Sequence, residues 1–467
     1  MKKAKKVIVC DAILDEGVKL LREAEDIECI EAAKVPKDEL LGMLGDVDVA
    51  ITRSSTEVSE AFLSAAKNLK ALIRAGVGVD NVDIAGASKR GIIVMNVPTA
   101  NTIAAVELTM AHLLCSARSF VNSHNYLKQE RKWEREKWYG VELMGKTLGI
   151  IGFGNIGSRV GVRAKAFGMK ILAYDPYISP SKVTDLDMQY TTNLDDILTK
   201  SDFITIHTPK TKETNGMIGL NELKKMKDKV RLINCARGGL YTEEALCEGL
   251  KSGKIAWLGI DVFVKEPATD NPLLDFENVS VSAHLGANTL ESQANIAIQA
   301  CEQALNAARG ISYPNALNLP IKTEDLPNFV APYIELVSKM AFLCAQMQKG
   351  AIKSIRLEAE GQIGEYAKSM LTFAAVGALQ SILGESINYV NAEFMAQEKG
   401  IELGFATLPN SGYNNKLCVK IVTENSSFSV AGTIFEENDQ RIVDLNGFKT
   451  DFKPKGKMII FKNKDIP

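Results

Sequence analysis

No stretch of this chain stays apolar long enough to cross a bilayer. The longest, MLTFAAVGALQSIL at 370–383, falls short of the roughly 20 residues a spanning helix needs, so no membrane partner is expected. An excess of one charge is also missing. The formal net charge of −2 gives no overall pull toward nucleic acid or an anionic membrane surface. Any anionic ligand must then be caught by a local basic pocket. Cysteine pairs of the CxxC kind are lacking, since Cys10, Cys29, Cys115, Cys235, Cys247, Cys301, Cys344 and Cys418 are scattered. Neither a zinc site nor a disulfide framework follows from that spacing, no metal is expected, and a reducing cytoplasm fits best. The opening MKKAKKVIVCDAIL places lysines before an apolar run, as a signal peptide does. Asp11 ends that run after four residues, and Asp15 and Glu16 follow, so the segment reads as the first buried strand of a soluble protein.

What is present is ordinary globular composition, 46% hydrophobic and 24% charged. With 467 residues the chain is too long for one core and divides into several domains. Over residues 1–98, β-rich runs (KVIVCDA, DVAITR, ALIRAG, IIVMNVP) alternate with helical patterns such as EGVKLLREA and EAFLSAAKN. Such alternation implies a parallel sheet covered by helices. A buried helix is expected over Ala100–Phe120. A second βα series, TLGIIGFG, KILAYDP, FITIHTP, VRLINCA, WLGIDVF and VSVSAH, begins near Lys146. A long helix then ends near Gly310, before Pro314. Beyond about 315 come helical segments, among them NFVAPYIELVSKMAFLCAQM, followed by alternating strands (LCVKIVTE, FSVAGTIF, QRIVDLNGF). The fold class is therefore α/β, with two doubly wound, Rossmann-like parallel sheets and a C-terminal α+β domain.

Gly152-Phe153-Gly154-Asn155-Ile156-Gly157 is a GxGxxG, a weak signal by itself. Here it follows the strand TLGII, opens the helical run SRVGVRAKAFG, and is followed by a second strand that delivers Asp175, 18 positions beyond Gly157. That is the context a dinucleotide site requires. Gly152 permits the tight turn, Gly154 lets backbone approach a pyrophosphate, and Gly157 lets the helix lie close on the strand. The helix N-terminus offers amides to the phosphates. Asp175 suits the adenosine ribose diol and repels a 2′-phosphate, so NAD is favoured over NADP. The competing reading is a glycine-rich turn with no ligand.

General acid–base work near neutral pH falls most often to histidine, and the chain has only four. His112 lies inside an apolar helix and reads as a packed core residue. His124 falls in a polar connecting stretch. His207 ends the strand FITIHTP on the cofactor side. His284 ends VSVSAH and precedes a Leu285-Gly286-Ala287 turn. Arg237, Asp261 and Glu266 sit at equivalent strand ends, and strand ends of one parallel sheet converge on one crevice. Arg237 can hold a substrate carboxylate bidentately, His284 can take the hydroxyl proton, and Glu266 can orient the ring. A structural salt bridge is the competing reading.

NCARGG at 234–239, GIDVFVKEP at 259–267 and AHLGA at 283–287, with GFGNIG, resemble the D-isomer-specific 2-hydroxyacid dehydrogenases. RSSTEV (53–58), RAGVGVDNVD (74–83) and NVPTANTIAAVEL (96–108) look like the members that oxidise 3-phosphoglycerate to 3-phosphohydroxypyruvate with NAD, at the start of phosphorylated L-serine biosynthesis. The resemblance implies Arg237, Glu266 and His284 as the catalytic set. Around NAD it implies Gly152, Gly154, Asn155, Ile156, Gly157, Asp175, His207, Thr208, Cys235, Ala236, Arg237, Asp261, His284, Gly286 and Ala287. For the phosphorylated 2-hydroxy acid it implies Gly76, Val77 and Gly78 at the carboxylate, Arg53 and Arg74 near the phosphate, and Arg237. Val77 stands where the pattern often has threonine. The stretch RKWEREKW (131–138) reads either as a solvated helix face or as a loop reaching a neighbouring subunit, where Arg135 adds charge for the phosphate.

In domain terms the resemblance implies a discontinuous substrate-binding domain (1–98 and 285–314), an NAD-binding domain (99–284) and an intervening domain (315–455). Residues 456–467 look like the first strand of a truncated serine-binding ACT domain. A homodimer or homotetramer is implied as well. Two other activities remain open. Oxidation of a different hydroxy acid, such as glycerate or lactate, sits poorly with Arg53 and Arg74. A non-enzymatic NADH-sensing regulator sits poorly with an intact Arg/Glu/His set.

Overall fold

A computed structural model describes residues 4–321, 326–410, 412–436 and 438–461, with the backbone alone at Ser381 and Glu385. The chain forms two compact units, Met1–Val97 with Ile298–Pro467, and Pro98–Ala297. Among the described residues no helix is long and apolar enough to cross a membrane.

The first unit holds two sheets. One contains β1 (Lys5–Val9), β2 (Ile27–Glu31), β3 (Val49–Thr52), β4 (Ala71–Arg74) and β5 (Ile93–Asn96), all parallel, in the order β2-β1-β3-β4-β5. Strands β3 and β5 are buried along their length, as the runs VAIT and IVMN require where helices cover a parallel sheet. Strand β2 was not foreseen. As an edge strand with only Ile27 buried, IECIE carries almost no apolar run to read.

The second unit is the larger doubly wound sheet: β6 (Thr147–Ile151), β7 (Lys170–Tyr174), β8 (Gln189–Thr191), β9 (Phe203–Ile206), β10 (Val230–Asn234), β11 (Ile255–Ile260) and β12 (Val279–Val281). The order is β12-β11-β10-β9-β6-β7-β8, every pair parallel. The chain reverses direction between β6 and β9, and a sheet of this kind takes its ligand outside the carboxyl ends at that switch point. The three-residue edge strand β8 was also not foreseen. Helix Thr102–Arg118 packs on this sheet through Val106, Met110, Leu113 and Ala117. It stops at Ser119, whose φ of 48° is left-handed, and a second helix, Phe120–Lys128, follows. His124 thus stands exposed on a helix rather than in a connecting stretch. RKWEREKW is not a helix face. It is irregular apart from the short turn Glu136–Trp138.

The first unit's other sheet is mixed: β13 (Ile352–Gly361), β14 (Glu402–Leu408), β15 (Asn415–Thr423), β16 (Ser427–Phe435), β17 (Asp439–Leu445) and β18 (Phe448–Phe452). Its order is β14-β13-β15-β16-β17-β18, with only β13 and β14 parallel. Helices Ala331–Gln346 and Ala367–Leu383 place Leu336, Met340, Met370 and Ala374 against Ile355, Leu357, Val419 and Ile421, all fully buried. Strands β13 and β14 lie where helical segments were expected. Lys, Arg, Glu and Ala in IKSIRLEAEG favour helix by propensity, but Ile355, Leu357 and Ala359 alternate inward with period two, and that pattern wins. QRIVDLNGF is likewise not one strand. Asn446 and Gly447 both take positive φ (49° and 89°) and turn the chain into the β17–β18 hairpin. Residues 456–461 carry no strand, and the remainder of the ACT strand expected over 456–467 lies outside the described residues.

Candidate active site

The turn after β6 is built in a way that requires glycine at 152 and 157. Gly152 has φ 89°, and a Cβ there would come within 2.9 Å of the His207 carbonyl carbon. At Gly157 a Cβ would stand 2.1 Å from the Gly152 carbonyl oxygen, so only glycine lets helix Asn155–Ala166 lie this close to its strand. Gly154 differs, since a Cβ there would meet nothing within 4 Å. The helix starts without a side-chain cap or an acidic residue in its first turn, so its amides keep their affinity for anions.

Asp175, one residue past β7, accepts from the Phe153 amide at 2.9 Å through Oδ2 and from the Tyr177 amide at 3.0 Å through Oδ1. The carboxylate therefore also ties down the glycine turn, a role its spacing did not reveal. Beside Gly152, the Thr208 hydroxyl is buried with no hydrogen-bond partner. His207 pairs Nε2 with Thr205 Oγ1 at 3.0 Å, and burial drives its pKa down to about 3, so the ring is neutral. Open space at Gly154, uncapped amides, an unpartnered hydroxyl and a carboxylate at the next strand end are together what a dinucleotide takes up.

The other strand ends carry the charged groups. After β10, the buried Asn234 accepts from the Ala236 amide at 3.0 Å and donates to the Arg237 carbonyl at 2.9 Å, shaping the loop that presents Arg237. Gly238 admits the close approach of the Phe263 carbonyl, 1.9 Å from where a Cβ would lie. Arg237 is half-buried, with Nη1 donating to the Ala236 carbonyl at 2.7 Å. Cys235 is buried and its thiol is pushed far up by desolvation, which holds it protonated. After β11, Glu266 accepts from the Phe263 amide at 2.9 Å through Oε1 and meets His284 Nδ1 at 2.8 Å through Oε2. His284 itself has φ 55°, a conformation that non-glycine residues rarely adopt.

Asp261 explains how that turn is held. It is fully buried, and its carboxylate accepts from Ser282 Oγ at 2.6 Å, the Leu285 amide at 2.7 Å and the Gly286 amide at 3.0 Å. The His284 amide donates to the Asp261 carbonyl at 2.9 Å. Gln293 fixes the far side through the Ala287 carbonyl at 2.7 Å. Asp261, expected on the cofactor, thus directs its side chain to the backbone carrying His284. Ser282 and Asn234 were missed. The available signal was VSVSAH itself, where Ser280 and Ser282 share one side of an extended segment.

In the first unit, Arg53 lies where β3 ends. Its amide and the Thr56 hydroxyl both donate to the buried Asp11, the latter at 2.8 Å, and its Nη1 donates to the Ala12 carbonyl at 3.0 Å. Partial burial lowers the Arg53 pKa. Arg74 ends β4, and its guanidinium lies against Gly76, where a Cβ would stand 1.9 Å from Nη1. The Gly76–Gly78 turn is anchored by its carbonyls: Val97 N donates to Gly76 O at 3.0 Å and Asn96 Nδ2 to Val77 O at 2.7 Å. Arg135 stands exposed in the irregular stretch. Among the described residues no hydrogen bond or ion pair joins it to the other candidates.

Two doubly wound sheets, with a glycine turn at one switch point and an Arg/Glu/His set at neighbouring strand ends, define a nicotinamide-dependent dehydrogenase. Residues 110–286 match the family model described as D-isomer specific 2-hydroxyacid dehydrogenase, NAD binding domain, and residues 329–446 match D-3-phosphoglycerate dehydrogenase intervening domain. The D-3-phosphoglycerate dehydrogenase of Bacillus subtilis is 37% identical over 98% of this chain and 87% of that protein. That of Archaeoglobus fulgidus is 38% identical over 99% and 88%. Among solved structures, an NAD-dependent formate dehydrogenase from Staphylococcus aureus in complex with NAD aligns at TM-score 0.60 with 29% identity, over 67% of this chain and 98% of that one. A D-lactate dehydrogenase from Aquifex aeolicus complexed with NAD and lactic acid aligns at 0.58 with 29% identity, over 66% and 96%. The chain belongs to the D-3-phosphoglycerate dehydrogenase family, within the D-isomer specific 2-hydroxyacid dehydrogenases.

Proposed function

We propose that the chain oxidises 3-phosphoglycerate to 3-phosphohydroxypyruvate with NAD, the opening step of the phosphorylated route to L-serine. The observation that carries this reading is the 2.8 Å pair between His284 Nδ1 and Glu266 Oε2. The carboxylate accepts at Nδ1 and so fixes the proton there, which leaves Nε2 with its lone pair as the base. His284 Nε2 takes the hydroxyl proton. Arg237 holds the substrate carboxylate and polarises the neighbouring oxygen. When bound, NAD supplies the hydride acceptor. Gly152, Gly154, Asn155, Ile156 and Gly157 present backbone to its pyrophosphate, and Asp175 faces the ribose diol. His207, Thr208, Cys235, Ala236, Gly286 and Ala287 complete its surroundings, with Asp261 acting through the backbone of the last two.

Arg53 and Arg74 hold the phosphate, and the Gly76–Gly78 backbone holds the carboxylate. Arg135 adds charge from a second copy of the chain, in a homodimer or homotetramer located in the cytoplasm. The domains are taken as 1–98 with 285–314, 99–284 and 315–455, which the family matches at 110–286 and 329–446 support. The test is NADH absorbance with a panel of hydroxy acids. Turnover of 3-phosphoglycerate far above glycerate and lactate is expected. A preference for lactate would overturn the substrate, and no NADH from any member would overturn the activity.

A further inference from the structure

His112 is not one of the groups that reach the reacting atoms, yet it is the most completely bonded histidine in the second unit. It sits midway along helix Thr102–Arg118 and is 6% exposed. Strand β11 makes room for it with Gly259, where a Cβ would fall 2.9 Å from His112 Cβ. Its Nδ1 lies 3.1 Å from Ser280 Oγ and its Nε2 lies 2.9 Å from Ser282 Oγ.

The direction of every proton in this chain of contacts follows from what the end groups can do. The Trp257 indole can only donate, and it donates to Ser280 Oγ at 3.2 Å. The Asp261 carboxylate can only accept, and it takes the Ser282 hydroxyl proton at 2.6 Å. Ser282 has one proton, already given to Asp261, so toward the imidazole it must accept. His112 therefore carries its proton on Nε2. Its bare Nδ1 then accepts the Ser280 proton, and Ser280 is free to accept from Trp257. A single run of donors results, Trp257 to Ser280 to His112 to Ser282 to Asp261, with each member satisfied in one arrangement only. Burial pushes the His112 pKa below its ordinary value, consistent with the neutral ring this arrangement needs.

We propose that His112 is a positioning residue for the catalytic turn, orienting Ser282 and through it the Asp261 carboxylate that holds the Leu285 and Gly286 amides behind His284. The inference rests on His284 being the base, but its structural part stands apart from that. The Nε2–H of His112 donates to a lone pair of Ser282 Oγ and so holds the hydroxyl in the rotation that points its proton at Asp261. Without it the Ser282 hydroxyl is free to rotate away from Asp261, and a buried carboxylate loses one of its donors.

Two readouts test this on the intact chain. The first is hydrogen exchange across 283–287 in wild type, His112→Leu, His112→Gln and Ser282→Ala. Leucine fills the space without donating, whereas glutamine keeps an N–H near the Nε2 position. Exchange about tenfold faster is expected in His112→Leu and Ser282→Ala, the scale of one hydrogen bond, with His112→Gln close to wild type. The second is steady-state turnover, where His112→Leu should lower kcat about tenfold while KM for NAD stays within about twofold. Should His112→Leu leave exchange at 283–287 unchanged, or should glutamine fail to restore it, the proposal is overturned. If the wild type turned over no hydroxy acid, the proposed function would fail, and the exchange comparison would still decide the role of His112.

Discussion

Gly157 lies so close beneath the carbonyl of Gly152 that a methyl group on it would stand 2.1 Å from that oxygen, whereas the same methyl on Gly154 would touch nothing within 4 Å. Gly157 is thus required by the packing of the helix, whereas Gly154 leaves the open space that the proposed pyrophosphate would fill. Gly157→Ala should force the helix off its strand, lower stability by about 1–3 kcal/mol and weaken NAD binding. Gly154→Ala should change the melting temperature little, since a cap glycine exchanged for alanine costs about 1 kcal/mol at most, yet raise KM for NAD at least about tenfold. Melting curves beside NAD titrations separate the two. Equal stability losses in both variants would show that Gly154 is needed by the fold and not by a ligand.

Asp175 reads the ribose in this account and anchors Phe153 N as well. Asp175→Ala should therefore do two things: raise KM for NAD, and lower the preference for NAD over NADP. A fall in affinity for both cofactors with an unchanged ratio would leave Asp175 as an anchor of the turn only.

Arg74 packs its guanidinium on Gly76. Removing it in Arg74→Ala should raise KM for 3-phosphoglycerate by more than KM for an unphosphorylated 2-hydroxy acid, because only the former loses a charge-assisted contact. Equal increases would place the phosphate elsewhere.

Acid should destabilise the protein through His207. Its pKa falls from 6.5 to about 3 in the folded state because burial penalises the imidazolium. Below 6.5 the unfolded chain binds a proton that the folded chain refuses. Its stabilising contribution is thus complete above 6.5 and is lost as pH falls toward about 3, where the folded form also protonates. His112, likewise lowered by burial, adds in the same direction. Denaturant midpoints at about pH 7 and pH 5 should differ less in His207→Gln than in wild type. An identical difference in both would remove His207 from the acid response.

Much of this arrangement was legible because the chemistry-bearing residues sit at strand ends of strongly apolar strands. GFGNIG after TLGII, Arg237 after VRLINCA and His284 at the end of VSVSAH could be placed without coordinates, since a parallel sheet sends all its carboxyl ends to one edge. What escaped notice was polar and internal. Nothing in spacing shows that Asp261 turns its carboxylate to the Leu285 and Gly286 amides, or that Asn234 shapes the Arg237 loop, because both depend on which side of the backbone a short side chain finds a donor. The missed strands have a different cause. IECIE and QYT lie at sheet edges and bury little, and IKSIRLEAEG is composed of helix-favouring residues whose alternation becomes decisive only against a neighbouring sheet. Asn446-Gly447 is a two-residue hairpin signal, masked in QRIVDLNGF by the apolar residues that continue on either side of it.

In the proposed reaction His284, oriented by Glu266, is the base. Single-site replacement His284→Ala, assayed for both 3-phosphoglycerate turnover and NAD binding, tests it most directly. A kcat lowered by roughly 10²–10⁴-fold is expected, with NAD affinity within about twofold of wild type. Turnover within about threefold of wild type would mean that His284 is not the base.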